Sequence, residues 1–208
     1  MTKPLLTSRQ AKLDGPLIDL EIAIIKGVRL GFGYNSFVRS PSVQELADFP
    51  FINDTGAGTA GNSPMAVLTA MRGGTNPWVQ VKHDAFWFAF GFSVSCFDII
   101  TATAVAMLQF SDKGVIANIF ADVIAQMPPD SPREASIVYV ELLMNAELNF
   151  IEDYFFVQAA LAPTSFLLVP QCHLFGGFAA GSWWGRSQYA GEWVFVSQAI
   201  RMLSELGL

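Results

Sequence analysis

Two histidines, His83 and His173, two cysteines, Cys96 and Cys172, and a series of carboxylates between Ser111 and Asp153 are the side chains of this 208-residue protein best equipped for chemistry. The carboxylates are Asp112, Asp122, Asp130, Glu134, Glu141, Glu147, Glu152 and Asp153, set against only Lys113 and Arg133. A di-iron site on helices needs Glu-x-x-His pairs, and no such pair occurs. The acidic series therefore reads as a solvated or subunit-facing surface. Asp98 lies two residues from Cys96, but without a base the two do not make a nucleophile. The cysteines sit far apart inside apolar runs, as small hydrophobes and not as a disulfide framework. Gly31-x-Gly33 follows a helical pattern, the wrong context for a dinucleotide fingerprint. His173 differs, because it stands in a run, 154–185, with no Asp, Glu, Lys or Arg. A neutral imidazole in a membrane helix ligates a pigment or haem, or hydrogen-bonds a neighbour. No catalytic or metal-ligating constellation emerges, and the expectation is a protein that is not an enzyme.

Composition frames the elements that must carry these residues. Charged residues are 14% of the chain and apolar residues 52%, where soluble domains average about 25% charged. The net charge of −6 argues against nucleic acid as a partner, since binding phosphates takes clustered Lys and Arg. The run 85–110 carries a single charge, Asp98, and exceeds the roughly 20 apolar residues that span a bilayer as a helix. The alternative for that run is a buried helix of a soluble protein. Residues 16–32 read as a first helix on the spacing of Leu17, Leu20, Ile24 and Val28. Its four charges, Asp19, Glu21, Lys26 and Arg29, would each cost about 2.5 to 3.5 kcal/mol at a bilayer centre, so it needs an interface or partners. Residues 1–15 form a polar tail without a signal-peptide core.

Segment 34–77 reads as a long Gly/Pro-rich loop with short helices at 41–49 and 64–72, and 111–153 as an acidic connecting segment. Helices are expected at 115–127, from Ser131 through Phe155, and at 193–208. The run 154–185 is broken by proline and glycine, with Gly177 and Gly181 offering a small-residue face. The predicted fold is mainly α: two to three membrane-spanning helices with long loops and short amphipathic helices, as one helical domain over 1–208.

Leu20-Glu21-Ile22, Gly27, Leu30 and Phe37-Val38-Arg39 resemble the first membrane helix of photosystem I reaction-centre subunit XI. Phe175-Gly176-Gly177-Phe178 and Gly181 are similar to that family's glycine-rich last helix, with 85–110 standing where its middle helix stands. The motifs are degenerate and cover about a quarter of the chain; Lys26 stands where the family has a histidine ligand, and the connections here are far longer. The resemblance implies chlorophyll and carotenoid as cofactors, with Glu21 as a chlorophyll ligand, and His173 is the second candidate cofactor-binding residue. The expected function is a non-catalytic integral membrane subunit of a large energy-converting, photosynthetic complex. Its partners would be other membrane subunits and lipid, and its location a membrane, the thylakoid in that family. The alternative is a soluble α-rich protein that inserts its buried apolar helix into membranes as pore formers do.

Overall fold

The chain folds as a ten-stranded antiparallel sheet. The computed structural model describes residues 7–19, 22–52, 64–129 and 131–204. Its strands are β1 (Thr7–Asp19), β2 (Ala23–Val38), β3 (Val79–Cys96), β4 (Ile100–Ser111), β5 (Gly114–Met127), β6 (Val138–Asn149), β7 (Tyr154–Leu161), β8 (Phe166–Leu167), β9 (Cys172–Trp183) and β10 (Trp193–Ser204). Each long strand pairs with the next in sequence, except that β7 pairs β9 and the short β8 bridges β6 and β9. The described helical parts are α1 (Pro64–Arg72) and the 3-10 turns Val43–Asp48 and Arg133–Ala135.

The expected mainly α fold with two to three membrane-spanning helices is therefore overturned. Residues 85–110 are the hairpin of β3 and β4, with Phe86 opposite Phe110 and Cys96 opposite Ile100. Asp98, the only charge of that run, is at the hairpin turn, where it and Phe97 have φ of 55° and 53°. Successive positive φ values suit the twist of a tight hairpin, and Asp tolerates them better than most residues. The first helix is replaced by parts of β1 and β2, and the helices expected from 115 to 155 by β5, β6 and the start of β7. The C-terminal amphipathic helix is β10, and the proline- and glycine-broken run is β7 to β9. The long loop survives only in part, since β2 continues to Val38. The helix expected at 64–72 is α1, and that at 41–49 is the 3-10 turn. Among the described residues no helix is long and apolar enough to cross a membrane. The helical membrane subunit and the α-rich pore former both required such helices, and both fall with them.

Alternation decides the strand state. Along β3, Ala85, Trp87 and Ala89 are buried while Phe86, Phe88, Phe90 and Phe92 are exposed on the other side. Successive side chains of a strand point to opposite faces. Register carries this division across the sheet and defines an inner and an outer face. The inner face of β2–β5 is covered by the segment from Val38 to Ile52. Phe49 packs edge-on to Trp78 and Phe120, each at 5.2 Å, and Phe51 edge-on to Trp87 at 5.8 Å. Gly31 and Gly33 are the floor beneath these rings, for a Cβ on Gly31 would lie 2.6 Å from the Phe51 ring and one on Gly33 would enter Trp87. That close approach, and not phosphate binding, is what the Gly31-x-Gly33 pair serves.

Trp87 is 1% exposed and its indole N–H donates to Ser36 Oγ at 3.0 Å. Trp87→Ala should lower unfolding free energy by about 3 to 5 kcal/mol. Urea denaturation checks this, and a loss below about 1 kcal/mol would mean the covered face is not the core.

Candidate functional site

The inner face changes character along the sheet. Across β2 to β5 one of its rows runs Gly31, Ala89, Met107 and Asn118, and it continues over β6 to β9 as Glu147, Phe156 and Gly181. The next runs Gly33, Trp87, Gln109, Ile116, Asn149, Tyr154 and Trp183. Small and apolar residues thus give way to amides, carboxylates and aromatics. Three amides at the transition hold the covering segment. Gln109 accepts from Val38 N–H at 2.8 Å and donates to Val38 C=O at 3.0 Å. Asn118 donates to Ser40 Oγ at 3.3 Å, and Asn145 to the Pro41 carbonyl at 2.8 Å. The turn that follows is capped by Glu45, which accepts from Ser42 N–H and Oγ–H and from Arg39. Those bonds, that from Arg39 first, hold the Glu45 carboxyl down at about 2. Arg39 in turn lies 4.2 Å over the Trp78 ring.

Beyond the cover lie two polar clusters. In one, Glu147 accepts from Asn118 Nδ2 at 2.9 Å, from Tyr154 O–H at 2.5 Å and from Asn149 Nδ2 at 3.3 Å. Burial first, and then the bond to Glu147, push the Tyr154 hydroxyl up to about 12. Asn145, Glu147, Tyr154, Phe156 and Trp183 line a cavity of about 280 Å³. In the other cluster Glu141 accepts from Thr164 Oγ1 at 2.6 Å and from Tyr139 O–H at 3.3 Å. Burial, then the nearby Glu141 charge, raise the Asp122 carboxyl to about 7, and its Oδ1 is buried without a partner. The described acids of the connecting segment thus resolve into turn residues (Asp112, Glu134, Glu152, Asp153) and inner-face residues (Asp122, Glu141, Glu147) on two adjacent strands, and Asp130 lies outside the described residues. Among the described residues no three His, Cys, Asp or Glu converge as a metal site.

The outer face is chemically different. One row across eight strands reads Leu30, Phe90, Ala106, Ile119, Ala146, Val157, Ala180 and Phe195. Its neighbours are Phe32, Phe88, Leu108, Ala117, Leu148, Phe155, Ser182 and Trp193 on one side, and Val28, Phe92, Ala104, Ala121, Met144, Ala159, Phe178 and Ser197 on the other. None of these residues carries a charge. Phe86 and Phe110 stack at 4.6 Å and Phe178 and Phe195 at 6.2 Å on the same face. At strand spacings of about 4.8 Å and 3.3 Å per residue, the three rows occupy roughly 700 Å² in plan. Monomeric proteins seldom expose apolar patches beyond about 300 to 600 Å².

The residues singled out from sequence do not meet. Glu21 lies outside the described residues. His173 is a half-buried strand residue on β9, opposite Phe166 and Leu203, with its ring 6.2 Å from Phe175 and Nδ1 unpartnered. It is not on the membrane helix that made pigment ligation the expectation, and nothing in the described residues supports a photosystem or chlorophyll reading. His83 is exposed on β3. Both cysteines are free, Cys172 buried and Cys96 partly so. Sequence reasoning singled out Glu147 only as one of the acidic series and missed Asn145, Tyr154 and Trp183; the four come from three strands. The one local signal was the alternation of Asn145, Glu147 and Asn149 along 138–149.

Asp122 supplies a pH test. Between 3.8, its ordinary value, and about 7 the folded state holds a proton that the unfolded chain has released. Stability should therefore fall as pH rises through that window and level off above it. Asp122→Asn should flatten this slope and melt higher than the parent chain at pH 8. Unchanged slopes of melting temperature against pH would remove Asp122 as the cause.

No curated protein and no solved structure matches the chain. A family model described as a family of unknown function (DUF6603) matches residues 8–196. That match takes in nearly the whole of the sheet, and the chain belongs to this family of unknown function, DUF6603.

Proposed function

We propose that this protein is a non-catalytic assembly module that associates with a second copy of itself through the outer face of its sheet. The observation that carries this reading is the set of three charge-free rows spanning eight strands. A sheet with two apolar faces requires a layer on each, and the chain's own described segments cover only the inner one. Roughly 700 Å² per copy approaches the about 800 Å² per partner of a standard stable interface. A face without charge brings no like charges together under a two-fold axis, whatever the rotation. Two such faces packed about 10 Å apart make a sandwich whose interior is Phe, Leu, Val and Ala.

Sedimentation equilibrium of the full chain in buffer without detergent tests this. A dimer is expected at micromolar concentration, and Phe88→Lys combined with Phe90→Lys should weaken it by at least about 10-fold while far-UV circular dichroism stays the same. A monodisperse monomer would overturn the proposal. So would a dimer indifferent to the double variant, which would point to pairing along the β10 edge. Partition of the wild-type chain into phosphatidylcholine vesicles with no dimer in buffer would give the face to lipid instead.

A further inference from the structure

On the opposite side of the sheet, the cavity over β6, β7 and β9 has a carboxylate and an aromatic lining that select its occupant. Asn145 is 6% exposed. Its amide nitrogen donates one hydrogen bond to the Pro41 carbonyl, and its Oδ1 is buried with no partner among the described residues. Glu147 contributes a carboxylate that receives hydrogen bonds only from neutral groups, Asn118, Asn149 and Tyr154, and it forms no ion pair among the described residues. The Tyr154 hydroxyl is used in that bond. What these side chains offer an occupant is therefore the negative charge of Glu147, since the Asn145 oxygen is buried below the cavity surface. The other walls are the rings of Tyr154, Phe156 and Trp183. Gly181 leaves room for the indole, since a Cβ there would come within 3.1 Å of Trp183 Cη2 and 3.4 Å of Phe156 Cδ2.

We propose that this cavity binds a small organic cation, an ammonium or guanidinium group. The Glu147 carboxylate supplies its counter-charge, and Tyr154, Phe156 and Trp183 line the space around it. Aromatic faces attract cations through their quadrupoles, most strongly where water is excluded. A neutral polyol also fits a ring-lined cavity, but it would leave the Glu147 carboxylate without a counter-charge. At about 280 Å³ the cavity takes a headgroup or a single side-chain terminus and not a larger molecule. The site faces away from the proposed dimer surface and does not depend on it.

Isothermal titration of the full chain with choline and with methylguanidine tests the proposal, with 3,3-dimethyl-1-butanol as the uncharged isostere of choline and glucose as the polyol. At least one cation should bind, and the butanol should bind about 10-fold more weakly than choline or not at all. Glu147→Gln keeps the side-chain shape but removes the charge, and Trp183→Leu removes a wall. Each should weaken cation binding about 10-fold with the melting transition retained. The Phe88→Lys, Phe90→Lys chain should bind the same cation unchanged, which separates this site from the assembly proposal. Equal affinity for choline and the butanol, binding of glucose alone, or no heat from either cation up to about 10 mM would each overturn it.

Discussion

Gln109 closes two hydrogen bonds onto the peptide of Val38, and with Asn118 and Asn145 it holds the chain from 38 to 41 against the inner face of the sheet. The covered core depends on that attachment. It aims the chain so that the capped turn at Ser42 follows at once and Phe49 and Phe51 drop onto Phe120 and Trp87. Without those bonds, polar groups of Gln109 and Asn145 on a covered face would be left without partners, at about 1 to 3 kcal/mol each. The same three side chains mark the boundary between the apolar half of the inner face and the polar half that holds the cavity. One set of bonds therefore shapes both the core and the edge of the candidate site.

A sheet of this breadth asks for two layers, and the described chain supplies one. The inner layer is built from about fifteen residues of irregular chain, which suffices because glycines 31 and 33 let the large rings sit close to the backbone. The outer layer is left to something else. Its phenylalanines are about 40% exposed, which is far from their preference in water. The polar inner floor and the apolar outer face thus suit the two sides of one sheet to the two proposed roles, association on one and ligand recognition on the other. Because strand residues alternate strictly, the two roles are coded by neighbouring residues of the same strands.

Much of this was hidden in the sequence for a specific reason. Polarity alternates along a strand only when one face meets water. In 85–110 both faces are apolar, with Phe86, Phe88, Phe90 and Phe92 on one and Ala85, Trp87, Ala89 and Gly91 on the other, so polarity does not alternate. A continuous apolar run of that kind cannot be distinguished from a membrane or core helix by hydropathy alone. The turn at Phe97–Asp98 was also disguised, since neither Gly nor Asn marks it. The α1 helix at 64–72 and the short turn within 41–49 were legible, because proline at the start of a helical segment acts locally. The candidate site was not, because Glu147, Tyr154 and Trp183 are brought together only by cross-strand register.

By itself the sequence determined that this chain is short of charge, that its acidity is concentrated in 111–153, that it carries no recognisable metal or nucleophile motif, and that it is rich in apolar residues. Those properties depend on composition and local spacing, which survive any folding. Tertiary structure decided that the apolar runs are strands, that Asp98 is a turn residue, and that the acids divide between hairpin ends and one face. It also assembled a carboxylate, an amide and three rings into a single cavity. Register in an antiparallel sheet is a long-range property, set by which strands meet and by how many residues the turns consume, and no local pattern in the chain carries it.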